Sequence, residues 1–316
     1  MIPKKIYFFW GNKKMSWMRY MTLKSFKMFN PTWDVTVYTV NCEVSDRTWY
    51  NHNVQDFSSF NGSDYMPYAQ NLGIEFKEWD YRGIEAFQEC NINKMRASHL
   101  SNFFKWYMMA EVGGIYCDMD VLFFRPIDGF YNEMINGDYT TAICQSEYLS
   151  IGLLASAGND DFYRALLANS MANYTPETYQ SAGVESIYHL YGLKPDELQW
   201  ILEQILAQYP RFTAFDVNIT FPQSNVLGVA IARYPDLKFY NIPHTLIYSW
   251  DSFKIADAFG AGGTINDFPD EAIGYHWYAG HPLVQNFNNL LTMNNYKRIN
   301  ALFTNIAKEI LKNETN

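Results

Sequence analysis

Residues 111–126 run EVGGIYCDMDVLFFRP: a glycine pair, a greasy strand-like run and, inside that run, two aspartates one residue apart. A strand carrying Ile115, Tyr116, Val121, Leu122, Phe123 and Phe124 should be buried, and isolated carboxylates are expensive there unless something neutralises them. In extended chain, residues i and i+2 point to the same side. Asp118 and Asp120 can therefore converge on one divalent cation. Hard, oxygen-only ligands favour Mg²⁺ or Mn²⁺ over zinc or copper.

The residues before the pair predict a helix over 96–111. Leu100, Phe103, Phe104, Tyr107 and Met108 recur at i, i+3, i+4, i+7 and i+8. Ser98, Ser101, Asn102 and Lys105 form a separate polar face. Gly113-Gly114 then ends the helix, since glycine takes the left-handed conformation cheaply. A lone D-x-D is a weak pattern, and a turn with capped aspartates explains many of them. The ordered set of helix, glycine pair, apolar strand and D-x-D is far more specific.

Upstream, the pattern predicts a strand over 4–10, a helix over 15–29 stopped by Asn30-Pro31, and a strand over 33–40. Residues 45–91 read as short helices and loops. Strand, helix, strand, helix, strand is the doubly wound α/β order. Ligands bind beyond the carboxyl ends of such strands, where Trp10 and the D-x-D would both lie. Downstream, 139–155 reads as further strand, 160–170 and 197–208 as helices, 252–270 as a mobile loop, and 288–312 as a terminal helix. There are no repeats and no low-complexity linker, so one domain over 1–316 is expected.

ASHLSNFFKWYMMAEVGGIYCDMDVLFFRPI resembles the core of the DXD-containing sugar transferases, glycosyltransferase family 32 and its relatives, among them the glucosylating domains of large bacterial toxins. IPKKIYFFWGN is similar to that family's opening strand, and SWMRYMTLKSFKMFNPTWDVTVY to the helix, turn and second strand that follow. Tyr275 to His281, YHWYAGH, resembles a His-Trp-x-Gly closing motif with altered spacing. The match covers residues 1–40, 92–128 and, loosely, 275–282.

The resemblance implies a GT-A-like α/β fold with one mixed, mostly parallel sheet, flanking helices and helical insertions. Residues 1–130 would hold the nucleotide sugar, and 131–316 would face the acceptor. It implies a metal-dependent glycosyltransferase that moves a sugar from a nucleotide diphosphate, most commonly UDP, to a hydroxyl acceptor such as a glycan, with retention. Asp120 would ligate Mn²⁺ or Mg²⁺ directly, and Asp118 through water or the sugar and ribose hydroxyls. His276 is the candidate third ligand or diphosphate donor, against the commoner role of a lone histidine as a structural residue, with His281 as its backup. Trp10 would stack on uracil, Tyr116 would sit beside the nucleotide, and Trp277 would cover the donor, although a core tryptophan fits that sequence equally well.

This chain departs from the family at the donor-sugar face. Ser101-Asn102-Phe103-Phe104-Lys105 stands where Ser-Asp-x-x-Arg is usual, so the identity of the donor is open. Asn102 still donates and accepts hydrogen bonds, whereas Lys105 lacks the planar fork of arginine. Ser181-Ala182-Gly183 replaces a commoner Thr-Gly-Pro. Glu147, Glu185 and Asp216 are available carboxylates, but nothing selects a nucleophile or base among them. Two alternatives stay open: a protein or modified nucleic acid as acceptor, or a catalytically weak nucleotide-sugar-binding protein.

Composition narrows the classes. With 24 basic and 33 acidic residues the net charge is −9, which disfavours nonspecific nucleic-acid and anionic-lipid binding. Lys13, Lys14 and Arg19 form a small basic group that reads as a solvated helix end. No apolar run approaches the roughly 18 residues that span a bilayer, and the start is too short and too interrupted for a signal peptide. A cytoplasmic enzyme, able to work peripherally at a membrane, is the expectation. Cys42, Cys90, Cys117 and Cys144 lack paired spacing, so zinc and disulfides are not expected. The N-x-S/T sequons at Asn61, Asn173, Asn218 and Asn313 read as incidental.

Overall fold

A computed structural model describes residues 1–11, 14–41, 60–87, 95–146, 149–190, 226–250, 254–260 and 262–312. The chain opens with strand β1 (Lys5–Phe9), helix α1 (Trp17–Phe29) and strand β2 (Asp34–Thr39). Ser16 caps α1 by accepting from the Arg19 N–H at 3.3 Å. Asn30 ends it, with both its backbone N–H and its side-chain amide donating to the Phe26 carbonyl. Short α2 (Met66–Gln70) and β3 (Glu75–Glu78) follow. The predicted irregular stretch over 45–91 thus contains a parallel edge strand, while 42–59 and 88–94 lie outside the described residues.

Helix α3 (Ala97–Tyr107) runs into a wider π-turn (Met108–Val112) before the glycine pair. Gly113 has φ 77° and ψ 175°, so the helix ends through a glycine-only extended geometry rather than the expected left-handed cap. A Cβ there would lie 2.4 Å from the Gly158 backbone nitrogen.

The run over 114–124, expected as one strand, is two. Strand β4 (Gly114–Cys117) belongs to the main sheet, and β5 (Val121–Phe123) belongs to another. Asp118 keeps one more sheet bond, from its N–H to the Gly152 carbonyl at 2.8 Å. The chain then turns at Met119-Asp120 and leaves the sheet. The Met119 carbonyl is held by the Thr22 hydroxyl of α1 at 3.1 Å.

After α4 (Asp128–Asn136), the predicted strand over 139–155 is an antiparallel pair, β6 (Thr141–Gln145) and β7 (Leu149–Ser156). Helix α5 (Asp161–Ala172) agrees with the sequence reading. Its cap, Asp160, accepts from the Phe162 and Tyr163 N–H groups. Then come α6 (Val184–Leu190), α7 (Val226–Arg233) and β8 (Phe239–Asn241). The helix predicted over 197–208 lies outside the described residues.

The stretch expected as a loop over 252–270 contains α8 (Ile255–Gly260) and a 3₁₀ turn (Ile265–Asp267) closed by a Thr264–Asp267 capping box. Strand β9 (Gly274–His276) precedes α9 (Pro282–Leu290) and α10 (Leu302–Lys312). The expected terminal helix is therefore two helices. Asn295 breaks it: its amide donates to the Leu290 carbonyl while its oxygen accepts from the Thr292 N–H, removing the carbonyl a continuing helix would use.

Seven strands form the central sheet in the order β3-β2-β1-β4-β7-β6-β8, and β5 and β9 form a separate two-stranded ladder. Pairings β3–β2, β2–β1, β1–β4 and β6–β8 are parallel; those of β7 are antiparallel. This is the mixed, mostly parallel α/β layout the sequence implies, with a second small sheet added. The β5–β9 register, Val121 opposite His276, sets His276 beside the D-x-D across 155 residues of chain. Among the described residues, no helix is long and apolar enough to cross a membrane.

Candidate active site

The carboxyl ends of β1 and β4 open into a cavity of about 760 Å³. Its lining includes Trp10, Arg19, Ser98, Ser101, Asn102, Lys105, Tyr116, Asp118 and Asp120. Gly152, Tyr179, Gln180, Tyr248, His276 and His281 line it as well. A volume of this order suits a small-molecule cosubstrate.

One ligand atom from each of Asp118, Asp120 and His276 falls within 4.8 Å of the other two. The protein holds one oxygen of Asp118 and both oxygens of Asp120, one of these through a backbone N–H and the other through His276. Asp118 Oδ1 accepts from the Tyr116 hydroxyl at 2.7 Å and from Lys105 Nζ at 3.1 Å. Burial and the neighbouring carboxylate push the Tyr116 phenol well up, so it stays an O–H donor. Asp120 Oδ2 accepts from the Ala279 N–H at 2.9 Å. Asp120 Oδ1 lies 3.3 Å from His276 Nε2. Burial alone would raise the Asp120 carboxyl, but His276, Arg19 and the Ala279 N–H together hold it well below the usual range.

Asp118 Oδ2 and Asp120 Oδ1 face His276 Nε2 across a gap that Gly152 keeps clear. A Cβ at Gly152 would stand 3.0 Å from Asp118 Oδ2, 3.5 Å from His276 Nε2 and 2.6 Å from Tyr248 Oη. Two carboxylates and an imidazole around such a gap fit a divalent cation. The outer donors orient the carboxylates as supporting groups do in metal sites.

The closing motif is built for this contact. Tyr278 has φ 52°, in the left-handed region that non-glycine residues seldom occupy. That turn presents the Ala279 N–H to Asp120, while the Trp277 N–H bonds the Asp120 carbonyl at 2.9 Å. His281 is separate from the cluster. It caps α9, its Nδ1 accepting from the Leu283 N–H at 3.2 Å.

Helix α3 turns Ser98, Ser101, Asn102 and Lys105 to the cavity and Leu100, Phe103 and Phe104 to the core. Lys105 lines the cavity but is 2% exposed, and its ammonium donates to Asp118 and the Ile151 carbonyl, so it braces the D-x-D. Trp277 was expected to cover the donor, but it is fully buried against Phe303 and does not line the cavity. A loop that covers a ligand needs an exposed edge; this indole has none.

The basic group at the start of α1 is also not simply solvated. Lys14 is exposed, whereas Arg19 points into the site, its guanidinium over the Trp10 ring at 4.7 Å and the Trp277 ring at 5.3 Å. Lys13 lies outside the described residues.

Sequence reasoning missed several lining groups. Gly152 had a signal, since a lone glycine inside LSIGLLAS marks a close approach. Tyr248, whose hydroxyl accepts from the Gly152 N–H at 3.0 Å, had none. Tyr179 and Gln180 reach the cavity from a loop pinned by His99 of α3. There Nδ1 meets the Tyr174 hydroxyl at 2.8 Å, and Nε2 meets the Thr178 and Tyr179 carbonyls at 3.1 Å each. Burial pushes the His99 imidazole down to about 4, which keeps it neutral and fixes Nε2–H as the donor. Glu185 is half-buried on α6 and does not line the cavity, and Glu147 and Asp216 lie outside the described residues. Cys117 and Cys144 are free and buried.

Residues 17–141 match a family model described as a glycosyltransferase sugar-binding region containing a DXD motif. No curated protein matches the chain significantly. Among solved structures, a PaToxG glycosyltransferase is 13% identical, with 72% of this chain and 84% of that chain aligned and a TM-score of 0.39. An active-site mutant of LgtC is 16% identical over 51% of this chain and 59% of that chain, with a TM-score of 0.28. The UDP-bound glycosyltransferase domain of the YGT toxin is 11% identical over 76% and 79%, with a TM-score of 0.37. At such scores these likenesses carry no weight on substrate, and the family model does not single out family 32. Over residues 17–141, which include the D-x-D and the whole polar face of α3, the chain is therefore similar to the sugar-binding region of DXD-containing glycosyltransferases.

Proposed function

We propose that the protein is a metal-dependent glycosyltransferase of GT-A-like fold that transfers a sugar from a nucleoside diphosphate donor, UDP in the first instance, to a hydroxyl of a glycan. The observation that carries this is the convergence of Asp118, Asp120 and His276 at the foot of a cavity that Trp10 and the polar face of α3 also line. Asp118 Oδ2, Asp120 Oδ1 and His276 Nε2 would hold the cation, which when bound neutralises the diphosphate leaving group. Tyr116, Lys105 and the Ala279 N–H keep the two carboxylates oriented throughout. Residues 1–130 supply the donor wall, and Tyr179, Gln180, Tyr248 and the 276–281 turn close the other side.

Retention fits the lining. Among the described residues, the cavity has no carboxylate besides Asp118 and Asp120, both committed to the cation site. Front-face attack, with the leaving diphosphate oxygen accepting the acceptor's proton, needs no further protein base. The weak-binding alternative is disfavoured because Lys105, the family departure that most suggested lost chemistry, instead braces Asp118. Incubating the protein with a panel of nucleotide sugars and Mn²⁺ tests the reading. Slow hydrolysis of at least one donor, stopped by EDTA, is expected; no turnover and no binding of any donor would sink it.

Trp10 lies partly exposed at the end of β1, with Arg19 stacked on it. Trp10→Ala should weaken UDP binding by about 1–2 kcal/mol, the scale of one base–aromatic stack. Unchanged calorimetric affinity in a folded variant would return Trp10 to a packing role. Asn102 is 7% exposed on the α3 face, one turn from Lys105. Asn102→Asp replaces an amide that donates and accepts with a pure acceptor. The relative rates of the two best donors should shift by roughly tenfold, as expected when a site's hydrogen-bonding pattern changes. An unchanged preference across the panel would remove Asn102 from the donor site.

A further inference from the structure

We propose that Arg19 binds the diphosphate of the nucleotide donor, a role that rests on the reading above and extends it to a residue outside the D-x-D and the closing motif. The guanidinium lines the cavity with Asp118 and Asp120. Both carboxylates favour its charge, against the burial that disfavours it, yet neither forms an ion pair with it. Among the described residues its side chain donates no hydrogen bond; only its backbone N–H is used, in capping α1. A partly buried guanidinium that meets no acceptor among the described residues is costly in a resting protein. The cost makes sense where the acceptor arrives with a ligand.

The setting selects the ligand class. The guanidinium carbon lies over the Trp10 ring at 4.7 Å and over the Trp277 ring at 5.3 Å, contacts that occupy no conventional acceptor and leave its N–H groups for oxygen ligands. Those groups form a planar fork matched to phosphate oxygens, which an ammonium cannot reproduce. Lys105, the other fixed cation of the lining, is consumed by Asp118 and the Ile151 carbonyl. A divalent ion between two carboxylates leaves diphosphate charge to be met, and Arg19 is the described lining residue placed to meet it. Its stacking on Trp10 also links the base end of the ligand to the phosphate end.

Calorimetric titration with UDP and with uridine, in Mn²⁺, on the wild type, Arg19→Gln and Arg19→Lys tests the proposal. Uridine has the base without phosphate. Arg19→Gln should weaken UDP roughly 10- to 100-fold, the range for lost hydrogen bonds to a charged group, and uridine by less than about threefold. Arg19→Lys should fall between, about 3- to 10-fold for UDP. It carries the comparison if the melting temperature shows that Arg19→Gln is unfolded. Equal losses for UDP and uridine would mean that Arg19 merely props Trp10, and an unchanged UDP affinity would mean no contact; either overturns the proposal. GDP and ADP are titrated in parallel. If one of these binds the wild type in place of UDP, the same comparison is made with its nucleoside. If the wild type binds no nucleoside diphosphate, the underlying glycosyltransferase reading fails, and this proposal with it. That result is distinct from a selective failure of Arg19.

Discussion

Asp120→Asn is expected to lose donor turnover by about a thousandfold or more while keeping the fold. The substitution is nearly isosteric. The amide oxygen can still accept from the Ala279 N–H, and the amide nitrogen can still meet His276 Nε2 once that ring takes its other tautomer. The site loses charge rather than packing. One of the two anionic ligands disappears, and with it several kcal/mol of stabilisation of the leaving diphosphate; about 4 kcal/mol corresponds to a thousandfold in rate. The check is donor hydrolysis with Mn²⁺, set beside circular dichroism and melting temperature. Near-full activity in a folded Asp120→Asn protein would mean that the D-x-D is not a cation site.

Gly152→Ala is expected to be nearly as damaging, through a single methyl group. The backbone there tolerates alanine, because Gly152 is absent from the positive-φ glycines. The obstacle is space: the Cβ would press on Tyr248 Oη at 2.6 Å and occupy the gap beside Asp118 Oδ2 and His276 Nε2. Overpacking of this kind costs about 1–3 kcal/mol in stability. A cation that relies on the same gap should bind at least about a hundredfold more weakly, as read by Mn²⁺ titration. Saturating Mn²⁺ should restore part of the turnover. A variant that binds Mn²⁺ like the wild type would place the cation away from the Asp118–Gly152–His276 gap.

Much of this site was legible in the chain because its signals are local. The apolar spacing of Leu100, Phe103 and Phe104 forces a helix whose other face carries Ser98, Ser101, Asn102 and Lys105 to the cavity. The glycine pair follows, and Asp118 and Asp120 stand within one turn of the strand end. Carboxylates one residue apart in an apolar run call for a counter-charge, so a cation site could be proposed there without knowing that the chain turns between two sheets. His276 was legible only by resemblance. Nothing local distinguishes it from His281, and the β5–β9 register makes the distinction.

The sequence by itself determined the α/β order, the face that α3 shows to the cavity and the carboxylate pair, all set by periodicities of a few residues and the cost of burying charge. Tertiary structure decided which way the long side chains point. Lys105 and Arg19 are both cations on helices near the cavity, yet one is spent on Asp118 while the other lies over Trp10 with no side-chain hydrogen bond among the described residues. Trp10 and Trp277 are both tryptophans in motif positions, yet one meets the cavity and the other is sealed in the core. The physical reason is reach. A lysine, arginine or tryptophan side chain extends several ångströms from its backbone, so its partner is chosen by whichever distant segment packs alongside. Such packing is set by contacts far apart in the chain, which no local spacing encodes.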